Sequence, residues 1–225
     1  MQIDDTELPF EPAWEGALET GGEMFTVRGR SLPRASIGRP SYWAVDARLD
    51  LSRRKVQSGP AEAYGLARFP FSLRPADDVQ VKRVDFTVAL YPSGSGPRPV
   101  AYDAHPPTTI VEREGEVTLS LGPDFKFAGA EASLAKVAGT IKLKQGVAAI
   151  TVDGIGESDV RWVFMERAGR PLLGSLVVYV VVARPGGIAA SRASVRLSAS
   201  MNSRWGQFVG RLPETAGDQL SWVLS

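Results

Sequence analysis

The feature that most constrains the fold is an uninterrupted apolar run, LVVYVVVA, at residues 176–183. Turn-forming residues close the run, with Gly174 and Ser175 before it and Arg184 and Pro185 after it. A helix that spans a bilayer needs roughly 20 apolar residues, so this run is too short. Five of its eight residues are valine, and valine and tyrosine both favour the pleated surface of a sheet. The run therefore predicts a central strand that is buried on both faces.

Period-two patterns extend the β prediction over most of the chain. Apolar residues alternate with polar ones at 42–51, 84–90, 117–121, 160–164 and 195–199. Segments rich in glycine, proline and serine separate these patterns, and no alternation of strands with helices is visible. The sequence therefore predicts an all-β fold, a single large antiparallel β-sandwich. A barrel-like arrangement and two stacked β subdomains are the alternatives.

The N-terminal residues differ from the rest of the chain in charge. Residues 1–23 contain no base and seven acids, so the remainder carries 26 bases against 18 acids. This asymmetry predicts an acidic N-terminal arm at 1–23 and an all-β domain at 24–225, with a possible subdivision in the proline-rich loop 92–109. Within the arm, Trp14 and Leu18 are one helical turn apart and follow a proline, which predicts a short helix.

The composition removes the commonest catalytic groups. The chain has no cysteine, and hence no thiol nucleophile, disulfide or thiolate metal site, and it has a single histidine. No phosphate-binding glycine loop is present. The sequence therefore leans against an enzyme and predicts no cofactor. The absence of cysteine and of an apolar N-terminal signal predicts a cytoplasmic location.

The single histidine is the first candidate for chemistry. His105 follows Asp103 by two residues, so on an extended segment the two side chains lie on one face. A carboxylate can orient an imidazole as a general base, with Ser93 or Ser95 as the nucleophile. The surrounding sequence is rich in proline and lacks a nucleophile elbow. We therefore expect His105 to be a surface residue without a catalytic role.

A second candidate is the acidic segment DGIGESD at 153–159. Its carboxylates, Asp153, Glu157 and Asp159, offer oxygen ligands for calcium, but the spacing of a calcium-binding EF-hand loop is absent. Gly154 and Gly156 are a fragment of a dinucleotide fingerprint without its third glycine or the following helix. The segment is therefore predicted to be a turn between two strands, with no metal.

The basic stretch 28–55 is a third candidate. It holds eight bases and two acids, and Arg53, Arg54 and Lys55 are adjacent. Such a patch can meet phosphates, but the formal net charge of the chain is only +1 and few aromatic residues are available for base stacking. Nucleic acid is therefore an unlikely partner on the sequence evidence.

These observations lead to one prediction of function and one alternative. The prediction is a non-catalytic β-sandwich that acts through protein–protein interaction as an accessory, adaptor or assembly subunit. Its contact residues would be an aromatic anchor in the acidic arm and the basic triplet: Trp14, Leu18, Arg53, Arg54 and Lys55. The alternative is a hydrolytic or ligand-binding β-sandwich with its site in loops 92–109 and 153–159. No membrane span is predicted, and the partner and the oligomeric state are left open.

Overall fold

The fold consists almost entirely of β-strands. A computed structural model describes residues 2–4, 10–20, 33–47, 61–108, 117–120, 125–127, 140–143, 149–166, 172–186, 188, 190–204 and 206–225 of the 225-residue chain. These residues form seventeen strands, and a single 3-10 helix at Glu214–Leu220. The strands are β1 (Gln2–Asp4), β2 (Pro12–Ala17), β3 (Glu19–Thr20), β4 (Arg34–Gly38), β5 (Ser41–Ala47), β6 (Ala61–Arg74), β7 (Val79–Pro92), β8 (Val100–His105), β9 (Val117–Ser120), β10 (Phe125–Phe127), β11 (Thr140–Leu143), β12 (Ala149–Asp153), β13 (Asp159–Met165), β14 (Gly174–Pro185), β15 (Ser191–Ser203), β16 (Gly206–Arg211) and β17 (Ser221–Leu224).

Two seven-stranded sheets and one three-stranded sheet account for all of these strands. The front sheet has the order β10-β5-β6-β14-β8, with β4 also paired to β6 and β2 to β4. The back sheet has the order β12-β13-β7-β15-β16-β3, with β17 also paired to β15. The small sheet has the order β1-β11-β9, and its β1–β11 pair is the one parallel pairing among the described strands. The predicted all-β sandwich is confirmed, and within the described residues neither large sheet closes on itself.

The main core lies between the front and back sheets. Phe71 of β6 stacks on Phe86 of β7 with 4.4 Å between the ring centroids, and Phe164 of β13 meets Phe71 edge-on at 5.8 Å. Trp162 is fully buried, and its indole nitrogen donates a hydrogen bond to the carbonyl oxygen of Pro106 at 3.2 Å. Aromatic pairs of this kind add to the stabilisation that apolar burial supplies.

The apolar run predicted as a central strand is β14. It pairs with β6 on one side and with β8 on the other. Val178 and Val180 belong to the core between the sheets, and Tyr179 and Val181 alternate with them on the other face. Tyr179 and Val181 are nevertheless 0% and 1% exposed, so the strand is buried on both faces, as predicted.

A proline within a strand pattern predicts a sheet edge or a bulge, and Pro70 departs from that expectation. It lies in β6 and faces Val177 of β14 across the ladder. On the other side of β6, the partner changes from β4, which ends its pairing at Phe71, to β5, which begins at Arg68. Pro70 therefore sits at the gap between two partners, where its missing N–H leaves no ladder bond unmade.

The predicted N-terminal helix is wrong. Residues Pro12–Ala17 form β2, which pairs with β4, and Glu19–Thr20 form β3, which pairs with β16 of the back sheet. Leu18, between them, is 0% exposed, and its N–H donates to the carbonyl oxygen of Pro33 at 2.8 Å. A short helix is marginal without tertiary support, and here the sheet edges offer better partners. A domain boundary at residue 23 stays a prediction.

Helical structure in the described part is confined to the short segment Glu214–Leu220. Within the described residues, no helix has the length and apolar character needed to cross a membrane.

A cluster of charges joins two strands on the outer face of the back sheet. Asp85 of β7 accepts hydrogen bonds from Nε of Arg83 at 2.8 Å and from Nε of Arg161 of β13 at 2.8 Å. Burial raises the pKa of the Asp85 carboxyl, but the hydrogen bonds and charges of the two arginines outweigh burial and hold that pKa below its usual value. The cluster therefore stabilises the folded state in the form in which Asp85 is ionised.

The substitution Val178→Asp tests the central strand. A carboxylate without a partner in this fully buried position is too costly to desolvate, so we expect no soluble folded protein. Val223→Asp is the matched control, because Val223 of β17 is 58% exposed. Solubility and cooperative thermal unfolding are the measurements. A Val178→Asp protein that unfolds cooperatively near the wild-type temperature would contradict the placement of β14.

The substitution Asp85→Asn tests the charge cluster. It should lower the free energy of unfolding at pH 7 by about 1–3 kcal/mol, the range for hydrogen bonds to charged groups. Because the pKa of Asp85 is depressed in the folded state, its contribution is complete above the ordinary carboxyl pKa and is lost as the pH falls through the depressed value. Denaturant unfolding as a function of pH should therefore show the two proteins converging in acid. A difference that persists below the depressed pKa would contradict this account.

Candidate functional site

The small sheet has one apolar and one polar face. In β9 and β11, Leu119 faces Ile141 and Val117 faces Leu143, and Ile3 of β1 also faces Ile141. Residues that face each other across a ladder lie on the same face of a sheet, so these five apolar residues share one face. The other face carries the residues between them, which are Gln2, Asp4, Thr118, Ser120, Thr140 and Lys142.

The register of β9 against β11 is that of a longer hairpin. Leu119 and Ile141 are both eleven residues from Ala130, and every other partner pair of β9 and β11 is also placed symmetrically about Ala130. Two antiparallel strands whose partners are symmetric about one residue can extend to a turn at that residue without a change of register. Among the described residues, Phe125–Phe127 form β10, which pairs with β5 of the front sheet.

The sequence on both sides of Ala130 alternates in step with this register. In 116–125 and 135–144, which are equally distant from Ala130, odd positions carry apolar residues, proline or glycine and even positions carry polar or small residues. The odd positions are Val117, Leu119, Leu121, Pro123, Phe125, Ala135, Val137, Gly139, Ile141 and Leu143. The two ten-residue arms would thus form one apolar face and one polar face if paired in the observed register.

Short windows of the sequence do not predict this hairpin. Taken alone, 117–121 predicts a strand, 131–139 is ambiguous between helix and strand, and 141–152, with a turn at Gln145 and Gly146, predicts a hairpin of its own. That last prediction is wrong, because β11 belongs to the small sheet and β12 to the back sheet. The segment 131–139 lies outside the described residues. The pattern that indicates the hairpin is that the apolar residues of both arms, 116–125 and 135–144, stand at odd positions. This pattern becomes visible only when the two arms are compared with each other.

The outer face of the front sheet carries a row of buried polar residues. Arg68 of β6, Tyr179 of β14 and His105 of β8 face one another across the ladder. They are 3%, 0% and 8% exposed, although this face points away from the main core. Nearby, Tyr64 is buried, its hydroxyl has no hydrogen-bond partner, and burial followed by the neighbouring Tyr102 raises its pKa.

The expectation that His105 is a surface residue is wrong. The residue ends β8, and its pairing with Tyr179 carries the ring into the buried row. Its Nε2 lies 3.2 Å from Oδ2 of Asp103, as the spacing suggested, but its Nδ1 is buried without a partner. The hydroxyl of Ser93 instead donates to the carbonyl oxygen of Ala190 at 2.7 Å. The geometry therefore does not assemble a nucleophile, a base and an orienting acid.

The two loops of the alternative prediction do meet. The N–H of Ala101 donates to the carbonyl oxygen of Glu157 at 2.8 Å, and the N–H of Gly156 donates to that of Ala101 at 2.7 Å. Gly154 has a φ of 85°, and a Cβ there would lie 2.0 Å from the carbonyl oxygen of Asp159, so the turn requires glycine. In the part of the chain that is described, no three His, Cys, Asp or Glu side chains group as a metal site.

The residues predicted to contact a partner are only partly described. Trp14 lies in β2 and packs against the main core, and Leu18 is buried beside it. Glu15, between them, accepts contacts from Arg34 at 3.4 Å and from Arg74 at 3.2 Å. Arg53, Arg54 and Lys55 lie outside the described residues. Their role as contact residues stays a prediction.

Comparison with known proteins finds likeness only at the level of solved structures. No protein-family description and no curated protein matches the chain. Clostridium perfringens delta-toxin is similar with 12% identity over 92% of this chain and 86% of the toxin chain, at a TM-score of 0.42. The NetB toxin of Clostridium perfringens in its membrane-inserted form is similar with 9% identity over 93% of each chain, at a TM-score of 0.30.

The prediction of a non-catalytic adaptor or assembly subunit is wrong. The two similar solved structures named above are both toxins. The physical source of the error is the N-terminal segment, which was interpreted as an arm that presents Trp14 to another protein. Residues 12–20 instead pair with β4 and with β16, so they contribute to both large sheets.

Proposed function

We propose that the protein acts on lipid bilayers by inserting a β-hairpin that consists of residues 116–144. The observation that carries the proposal is the register of β9 against β11, which places Ala130 at the tip of a hairpin whose arms alternate without a shift. Each arm has ten residues, and a strand that crosses the hydrocarbon core needs roughly 9–11. Alternation of lipid-facing apolar residues with polar residues is the pattern that such strands require.

An inserted hairpin needs further copies of itself. Its two outer edges carry N–H and C=O groups that lipid cannot satisfy, so a single hairpin is not stable in hydrocarbon. Copies that join edge to edge in a closed ring satisfy these groups. The partner in this proposal is therefore a further copy of the same chain. The polar face, which includes Lys126, Lys136, Lys142 and Lys144, would point to the inside of the ring.

Within the described residues, release of the hairpin would break two short strand pairings. β10 holds the segment to the front sheet through three paired residues, and β1 holds β11 through three more. Short pairings at a sheet edge are among the less stable parts of a fold. The predicted cytoplasmic location stays a prediction, which fractionation of the native source would test.

A cysteine scan tests insertion directly, because the chain has no cysteine of its own. Single cysteines at Val117, Leu119 and Leu121 and at Thr118 and Ser120 would carry an environment-sensitive fluorophore. On addition of lipid vesicles, we expect a blue shift of the emission at the odd positions and little change at the even ones. The reason is that only one face of each arm would meet the lipid.

Val223→Cys, on the exposed strand β17, is the control that should not respond. Equal responses at odd and even positions would contradict an inserted hairpin, and so would a response at Val223.

A reversible lock tests the release step. Lys126 of β10 and Asp46 of β5 are directly opposite in the ladder, so cysteines at both positions lie within the reach of a disulfide. The oxidised Lys126→Cys, Asp46→Cys protein should fail to release dye from vesicles, and reduction should restore release. Cysteines at the opposed residues Thr151 and Val163, which join β12 to β13, form the matched control. Leakage by the oxidised Lys126–Asp46 protein at the wild-type rate would show that β10 need not leave β5.

A further inference from the structure

A cleft lies on the outer face of the back sheet, at the edge of β15. β16 pairs with β15 from Ser198 onwards and β17 pairs with it up to Ser194, so residues between these points lack a neighbouring strand on that side. The chain from 212 to 220 arches past this gap and leaves a cavity of about 630 Å³. Leu212, Pro213 and Leu220 form an apolar wall of the cavity.

Arginines and hydroxyl groups occupy the side of the cleft formed by the sheet. Thr87 of β7 has Arg161 of β13 opposite it on one side and Arg196 of β15 on the other. In the next row, Ser198 of β15 lies opposite Arg211 of β16. Arg196 and Arg211 are therefore diagonal neighbours on adjacent strands, a spacing that long side chains bridge. All five side chains line the cleft.

The three arginines of the cleft differ in how many contacts they already form with acidic side chains. Arg161 is held by Asp85, with its Nε 2.8 Å from Oδ1. The side chain of Arg196 is 73% exposed, and its Nη2 lies 3.6 Å from Asp159. Arg211 is exposed and forms no ion pair within the described part of the chain. Arg196 and Arg211 thus keep most of their hydrogen-bonding capacity for a ligand.

The charges that line the cleft are balanced in number but not in position. The acids are Asp85, Asp159 and Glu214, and the bases are Arg161, Arg196 and Arg211. Asp85 is already held by Arg161, and Arg83 also pairs with it. Guanidinium groups beside hydroxyls form charge-assisted, often bidentate hydrogen bonds with carboxylate and phosphate.

We propose that this cleft binds a small anionic group, a carboxylate or phosphate attached to a ring or a short apolar portion. Arg196 and Arg211 would clamp the oxyanion, Ser198 would donate a third hydrogen bond, and the apolar wall would contact the rest of the ligand. Such a group occurs on free metabolites and on lipid headgroups. The site does not depend on the proposed hairpin, which lies in a different part of the chain.

Calorimetric titration of the intact protein with glycerol 3-phosphate and with glucuronate tests the site. At least one anion should bind saturably, whereas glycerol and glucose should not bind. Arg196→Ala and Arg211→Ala should each weaken the affinity roughly tenfold or more, since each removes hydrogen bonds to a charged group. Arg192→Ala is the matched control, because Arg192 lies on the same strand and is exposed but does not line the cleft.

Vesicles with and without phosphatidylglycerol distinguish the two sources of the anion. If the ligand is a lipid headgroup, Arg196→Ala and Arg211→Ala should lose binding to the anionic vesicles. If it is a free metabolite, they should lose only the soluble anions. Absence of saturable binding to either anion would overturn the proposal, and so would an equal loss in Arg192→Ala. The oxidised Lys126→Cys, Asp46→Cys protein should keep the anion affinity, which separates failure of this site from failure of the hairpin.

Discussion

The pairing of β14 with β6 is the interaction on which the rest of the structure depends. The two strands run side by side over twelve partner positions and place their inner residues, such as Phe71 and Val178, in the main core. Both strands are also covered on the opposite face, where Tyr179 and Leu66 are fully buried. A slip by one residue would exchange the side chains on the two faces of the pair, so its register fixes which residues enter the main core. Every other strand of the front sheet is positioned against this pair.

The two large sheets differ in what their outer faces meet. The outer face of the front sheet is buried and includes the row of Arg68, Tyr179 and His105. The outer face of the back sheet alternates in the ordinary way, with exposed Arg192 and Arg196 between buried residues of β15. The outer face of the back sheet is therefore accessible to ligands, whereas that of the front sheet is not. The two proposals follow this division, with the hairpin tied to the front sheet and the anion cleft on the back sheet.

The sequence was sufficient for the fold class but not for the site. Period-two alternation predicts the sandwich correctly, and the valine-rich run predicts its central strand. Both patterns depend only on whether each face of a strand is buried, which the residues of that strand determine. Three predictions failed for one reason, those for Pro70, for residues 12–17 and for His105. In each case the structure depends on pairing with a strand that is distant in sequence. The charge cluster of Asp85 with Arg161 is of the same kind, since its members lie 76 residues apart. Local pattern carries no information about such pairs.

The hairpin differs from these failed predictions, because the pattern that indicates it lies within one continuous segment of the sequence. Its two arms alternate with one parity about Ala130, and in the folded protein Phe125–Phe127 pair with β5 as β10. In the proposed insertion, Phe125–Phe127 would leave β5 and continue the β9–β11 ladder. Both arrangements satisfy the backbone of β10, so the balance between them is set by the surroundings of the apolar positions. In water those positions favour burial within the protein. In a bilayer the hydrocarbon accepts them without that cover, and the uninterrupted register then favours the hairpin.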